Sequence, residues 1–280
     1  MLNADYIMAE SIEEAIAFAA SSKNFVYLAG GTDLVIDLKE KRIRPELVID
    51  ISRIGKLNTF EVNQEGLFIG STTKFDEIFR SPEVATYAHA LMIAAGMVGS
   101  PQIRNVGTVG GNIANGSPAA DTVPALLVHN ASVELHEIDG VRQIMMMDLI
   151  QRINHQELGI AILGRIFIPK RLGLHRSTFV KLGRRSAMAI ARMNMAIAID
   201  YGADGKHIDS VRVAVGALGP HAYLINGLDN IVGEERSDRT DAEIIRYTES
   251  QVSNILGDRA TSRYKNRAIR GLIEKALREV

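Results

Sequence analysis

The sequence predicts an α+β chain in three consecutive parts, and three observations carry that reading. An opening stretch alternates helix and strand around a Gly-Gly turn. A middle stretch mixes helices with mostly antiparallel strands that flank an Asp-Gly turn. A closing stretch runs three apolar strands into two amphipathic helices.

In the opening part, Ser11-Ile12-Glu13-Glu14 has the spacing of a capping box, with the Ser hydroxyl placed for the third helical amide and Glu14 for the return bond. Ile12, Ala15, Ile16 and Ala19 follow at helical spacing. Phe25–Leu28 is rich in strand formers and ends in Ala29-Gly30-Gly31. Leu34–Lys39 fits one or two helical turns, and Glu46–Ile51 reads as a buried strand.

In the middle part, residues 67–71 alternate as a strand does, and residues 74–79 suggest a short helix. Ser81-Pro82 is a helix start with Pro at the first helical position, and Val84, Ala88, Leu91 and Ala95 mark one face of that helix. Residues 99–120 are rich in Gly, Asn, Ser and Pro and read as a long loop. A helix is expected over 122–129. Strands over 132–138 and 141–146 flank Asp139-Gly140, a pair suited to a type I′ turn. Residues 161–168 form another strand, ended by Pro169.

The closing part begins near Leu174, after the linker-like Lys170-Arg171-Leu172-Gly173. Strands are expected over 177–182, 195–201 and 207–217, with Asp204-Gly205 turning the second into the third. Helices are expected over 241–256 and 262–278. Domains are therefore placed at 1–173, with subdomains of about 1–57 and 58–173, and at 174–280.

Composition narrows the function. The 280 residues are 46% hydrophobic, enough for a sizeable core. Lys and Arg number 32 against 33 Asp and Glu, so no basic field favours nucleic acid. Aromatic residues make up 5% with no Trp, which argues against base-stacking platforms. There is no Cys, so thiolate zinc sites, cysteine-ligated clusters and a cysteine nucleophile are excluded. The histidines show no metal-ligand spacing, and no catalytic constellation stands out. The N-terminus lacks the pattern of a signal peptide and no apolar run approaches a membrane span. A soluble, cytoplasmic protein is the expectation.

Two loops carry candidate chemistry. Ala29-Gly30-Gly31-Thr32-Asp33 lies between a strand and a short helix. Glycines let backbone amides approach an anion closely, a helix N-terminus adds partial positive charge, and Thr32 adds a hydroxyl. Taken alone, a Gly-Gly turn after a strand is more often an ordinary connection. Gly107 to Ser117 alternates glycines with Thr108, Asn112, Asn115 and Ser117, and Asp121 follows at a helix start. That loop suits a diphosphate and also suits an ordered surface connection. Neither loop is G-x-G-x-x-G, and no G-K-[ST] occurs, so a Rossmann site or a nucleotide triphosphatase lacks its signature.

A strand followed by AGGTDL, and later by PQIRNVGTVGGNIANGSPAAD, resembles the FAD-binding medium subunit of molybdenum hydroxylases, the family of xanthine, nicotinate and carbon monoxide dehydrogenases. The pairing of the loops is more specific than either alone, and the resemblance covers nearly the whole chain. It implies a two-part FAD-binding domain of the PCMH type, then a C-terminal domain with a three-stranded antiparallel sheet and helices. By the same resemblance, Leu28, Ala29, Gly30, Gly31, Thr32 and Asp33 line the pyrophosphate and ribityl region. Thr108, Gly110, Gly111, Asn112, Ile113 and Asn115 complete that cradle, with Ala95 and Gly96 near it. Asp121 is implied to accept a hydrogen bond on the adenosine side, and Leu163 to pack near the adenine. Lys181, in FVKLGRR, matches a flavin-contacting lysine, whose cation would favour the reduced, anionic flavin. Ile190 is implied to approach the ring.

The resemblance further implies FAD as cofactor, with the molybdenum cofactor and [2Fe–2S] clusters in partner subunits. Those partners would be an iron–sulfur small subunit and a molybdopterin large subunit in a hetero-oligomer, with NAD or another acceptor taking the electrons. A stand-alone flavin oxidoreductase of the same fold and a flavin-free scaffold are the alternatives. Two departures from the family's pattern stand out. The segment after Ile150 lacks a Gly-rich stretch, and Ala189 stands where relatives often carry Asp.

Overall fold

The structure, a computed structural model, describes residues 4–171, 173–185, 188–259 and 261–280. Leu172, inside the linker read from the sequence, and the first three residues lie outside the described ones.

The first part holds β1 (Asp5–Met8), α1 (Ile12–Ser21), β2 (Phe25–Leu28), α2 (Leu34–Lys39) and β3 (Leu47–Asp50). Its sheet has the order β1-β3-β2 with both pairings parallel. Ser11 caps α1 by accepting from the Glu14 amide at 3.0 Å. Glu14 reaches back to the amide of Glu10 and not to that of Ser11, which corrects the capping box by one position. Ile12, Ala15, Ile16 and Ala19 are buried and meet Ile49 of β3 in one apolar cluster.

The second part holds a 3₁₀ turn at Gly55–Leu57, β4 (Phe60–Val62), β5 (Gly66–Gly70), α3 (Phe75–Arg80), α4 (Pro82–Tyr87), α5 (His89–Gly96), α6 (Pro101–Arg104), α7 (Val109–Ala114), α8 (Thr122–Val128), β6 (Ser132–Glu137), β7 (Gly140–Met145), α9 (Met146–Asn154) and β8 (Ile162–Pro169). The sheet is antiparallel with the order β4-β5-β8-β6-β7. Three expectations need correction. The helix expected from Ser81 to Ala95 is two helices, broken at Ala88 (φ −152°, ψ 58°). The long loop over 99–120 contains α6 and α7. The β6–β7 turn is centred on Ile138 and Asp139, while Gly140 (φ 133°) opens the return strand. A type I′ turn needs two positive φ values at its centre, and neither central residue has one.

The third part holds β9 (His175–Leu182), β10 (Met193–Tyr201), β11 (Ile208–Gly216), β12 (Tyr223–Ile225), a 3₁₀ turn at Asp229–Ile231, α10 (Asp238–Leu256) and α11 (Ser262–Glu279). The antiparallel sheet has four strands in the order β12-β11-β10-β9, one more than expected. The added strand is three residues long, too short to show an alternating pattern. β10 is buried on both faces, which explains its nearly continuous apolar run. Met195, Ile197 and Ile199 point into a cluster with α10 and α11. Ala196 and Ala198 join Ala214 and Phe179 in the core of the second part. Small side chains on that face let α8 pack closely on β10 and β11. Among the described residues no helix is long and apolar enough to cross a membrane.

Candidate functional site

The two glycine loops touch. A Cβ on Gly30 would lie 2.2 Å from the Val106 carbonyl oxygen, so only glycine lets the first loop rest on the backbone that opens the second. Gly31 follows at φ +69°, where side chains with a Cβ are strained, and its carbonyl accepts from the Val35 amide at 3.0 Å. Among the described residues no acceptor takes up the amides of Gly30, Gly31, Thr32 and Asp33. Four consecutive donors therefore remain unspent at the entrance to α2. Leu28, Ala29 and Thr32 are half-buried around them, and Asp33 is exposed.

The second loop is built differently. Thr108 pairs with Lys74 as an isolated antiparallel bridge, and Phe75 donates its amide to the Gly107 carbonyl at 3.1 Å. The Val109 amide donates to Thr73 O at 3.0 Å and the Gly110 amide to Ser71 O at 2.7 Å. The Gly111 amide donates to Thr108 Oγ1 at 3.1 Å, making Thr108 the N-cap of α7. The first amides of this helix are thus satisfied inside the chain and are not open to an anion. A Cβ on Gly110 would lie 2.5 Å from the Ser71 Cβ, so that glycine is a packing requirement. Asn112 Oδ1 accepts from Thr122 Oγ1 at 2.6 Å, and Ile113 is buried. Gly111 and Asn115 face solvent.

The second loop leads to a buried charged group. Lys181 Nζ donates to Asp121 Oδ2 at 2.5 Å and to the Met97 carbonyl at 3.2 Å. Asn194 Nδ2 donates to Asp121 Oδ1 at 2.9 Å and reaches the Ala120 carbonyl at 3.4 Å. The lysine side chain is 10% exposed and the aspartate side chain 6%. Burial pushes the Asp121 carboxyl above its ordinary range, and the Lys181 ammonium and Asn194 amide oppose that shift. The end of α5, the start of α8, β9 and β10 all meet here. Asn194 Oδ1 is itself buried without a partner, and a Cβ on Gly216 would stand 2.2 Å from it. Sequence reasoning missed Asn194 and Gly216. The one signal was a single Asn in the apolar run Met193–Ile199.

The remaining residues named from the sequence divide. Ala95 is wholly interior, and Gly96 lies under the Phe79 ring, both just before the carbonyl that receives Lys181. Leu163 is buried in β8, against which α7 packs. Ile190 is 83% exposed on the β9–β10 connection and stands apart from the others. Among the described residues no cluster of acidic or His side chains could hold a metal.

Comparison with known proteins gives the family. Residues 2–171 match the FAD-binding domain in molybdopterin dehydrogenase, and residues 178–280 match the carbon monoxide dehydrogenase flavoprotein C-terminal domain. The chain is 28% identical to the glyceraldehyde dehydrogenase medium chain of Sulfolobus acidocaldarius, over 98% of this chain and 97% of that one. It is 30% identical to the xanthine dehydrogenase FAD-binding subunit of Escherichia coli O157:H7, over 78% of this chain and 75% of that one. A solved carbon monoxide dehydrogenase chain from Hydrogenophaga pseudoflava shares the fold, with a TM-score of 0.85 at 22% identity, covering 99% of this chain and 96% of that one. The chain belongs to the family of FAD-binding subunits of molybdenum-containing dehydrogenases.

Proposed function

We propose that this chain holds FAD as the electron-transfer subunit of a molybdenum-containing hydroxylase or dehydrogenase, and that the four unspent amides of Gly30–Asp33 are the anchor of the pyrophosphate. That row of donors is the observation that carries the reading. Amides without an acceptor at a helix entrance suit a diphosphate without any cationic side chain, which fits a loop that has none. Thr32 adds its hydroxyl. The second loop supplies a rigid floor through Thr108, Gly110 and Gly111, while Asn112 and Asn115 offer side-chain amides.

Lys181 is the cation assigned to the flavin's redox edge. Its charge is shared with Asp121, which already accepts from Lys181 on one oxygen and Asn194 on the other. We therefore assign Asp121 to holding the lysine in place, ahead of any contact on the adenosine side. A bound flavin supplies stepwise electron storage, and the protein sets its potential through such neighbouring charges.

Electrons would arrive from iron–sulfur clusters of a small subunit and leave to NAD or another acceptor, with substrate oxidation on a molybdopterin large subunit. A chain without Cys ligates no thiolate cluster itself, which supports this division of labour. Relatives named as medium chains and FAD subunits support it too. Assembly in the cytoplasm is part of the same proposal.

The purified chain is expected to be yellow, or to turn yellow on titration with FAD. A colourless protein that takes up no FAD would sink the reading. Mixing the FAD-loaded chain with a reduced [2Fe–2S] partner should bleach the flavin bands, and adding NAD should restore them if NAD is the acceptor.

A further inference from the structure

A cleft lies where the chain after the second glycine loop meets the C-terminal part. It is open to solvent, has a volume of about 480 Å³, and counts Pro118, Ala119, Leu218 and Pro220 among its lining residues. The Ala217 amide donates to the Pro118 carbonyl at 2.7 Å and ties two of its lining residues together. Arg259 and Lys265 line it as well. Arg259 Nη1 donates to the Leu218 carbonyl and Lys265 Nζ to the Ala217 carbonyl. A guanidinium carries five N–H donors and an ammonium three, so both cations keep donors to spare.

We propose that this cleft binds a small organic anion, its phosphate or carboxylate head on Arg259 and Lys265 and its compact apolar or ring body between Pro118, Ala119, Leu218 and Pro220. Two like charges placed together are mutually unfavourable unless an anion joins them. Burial, and after it the Arg259 charge, hold the Lys265 amine below its ordinary range. The N-terminus of α11, an 18-residue helix, opens beside the cleft at Thr261 and adds partial positive charge to the same side. The apolar walls give the site its second requirement, since a bare inorganic ion would leave them unfilled.

The test is calorimetric titration of the full chain, saturated with FAD and free of it, using adenosine 5′-monophosphate, benzoate, inorganic phosphate and neutral adenosine as probes. At least one of the two organic anions should bind with a Kd between about 10 μM and 1 mM, and inorganic phosphate and adenosine should each bind at least about 10-fold more weakly. Binding should persist in the FAD-saturated chain. Loss of binding on FAD saturation would place the anion in the glycine cradle and overturn the proposal. Arg259→Gln and Lys265→Gln should each weaken the organic anion about 10-fold or more, and Lys265→Arg should keep it within about threefold. Both side chains also hold carbonyls of the 217–218 turn, so a variant could fail by loosening that turn. Acylation of Lys265 in the unsubstituted chain removes this ambiguity, because the bound anion should slow it several-fold. Failure of both organic anions to bind, affinities untouched by the substitutions, or an unprotected Lys265 would each overturn the site. None of those outcomes bears on whether the chain binds FAD, which the colour of the chain reports separately.

Discussion

The two glycine loops look alike in sequence and differ in what they do with their amides. The first leaves those of Gly30 to Asp33 unspent. The second gives its Val109, Gly110 and Gly111 amides to Thr73, Ser71 and Thr108. The first loop leads into α2, a short helix with one buried residue, Leu38. The second leads into α8, every residue of which is buried, with Asp121 before it and His129 after it in networks of charge. Glycine therefore serves two ends. In the first loop it frees donors for a ligand, and in the second it lets backbone pack on backbone. On this view a change in the first loop should be read in flavin affinity, and a change in the second, or at either end of α8, in stability.

The largest effect is expected at Lys181. Lys181→Met would leave Asp121 buried with Asn194 alone, and breaking a buried pair by removing one partner costs about 3–5 kcal/mol. Denaturant unfolding of the FAD-free chain checks this, and a loss below 1 kcal/mol would show that the pair does not anchor the second loop's side of the site.

Gly30→Ala comes next. Its Cβ would meet the Val106 carbonyl at 2.2 Å and push the first loop off the second. FAD affinity should fall more than about 100-fold, equivalent to about 2.7 kcal/mol. Gly110→Ala crowds Ser71 instead and should lower the melting temperature while folded protein still binds FAD within about 10-fold of the original. Equal loss of affinity in the two variants would erase the distinction.

The far end of α8 offers a pH test. His129 is buried with both ring nitrogens unpartnered, its ring 5.1 Å from that of His175. Arg171 and Arg212 donate to the carbonyls of His129 and Val128, and Arg212 also pairs with Asp200. Burial holds the His129 pKa well below its ordinary value, and the nearby charges of His175, Arg171 and Arg212 add to that. A depressed histidine takes its proton only in the unfolded chain, so stability should fall as pH drops below about 6.5, by about 1.4 kcal/mol per unit. Asp200 is also depressed, but that contribution is lost only below about pH 4. Between pH 7 and pH 5 the chain should therefore lose about 2 kcal/mol more than His129→Leu does. Parallel pH profiles for the two proteins would mean that His129 takes up its proton as readily in the folded chain as in the unfolded one, and would overturn this reading.

Much of this was legible in the residues. The three parts, the strand before Ala29, the two closing helices and both loops follow from periodicity and from turn residues that act locally. What was hidden depends on distant partners. Val109–Ala114 reads as loop because two glycines in six residues each cost a helix about 1 kcal/mol. It folds as helix because Ser71 and Thr73, far off in sequence, satisfy its first amides. Asn194 was invisible because a lone Asn in a strand has no meaning until Asp121 is placed beside it. The added strand β12 was too short to carry a pattern, and the parallel order of the first sheet is fixed by crossovers that sequence spacing does not number.

The smallest effect separates the loops most cleanly, because it compares one hydroxyl with another. Thr108→Val keeps the side chain's shape and removes the cap on the Gly111 amide, which should cost about 1 kcal/mol of stability. Thr32 makes no hydrogen bond with the rest of the described chain through its side chain or its amide, so Thr32→Val should change stability by less than about 0.5 kcal/mol. FAD affinity should move the other way, falling about 10-fold in Thr32→Val and less than about threefold in Thr108→Val. The two readouts, denaturant midpoint and FAD titration, should therefore cross. If Thr108→Val lost flavin as heavily as Thr32→Val while keeping its midpoint, Thr108 would be a ligand contact first and a cap second. The second loop would then share the anchoring with the first.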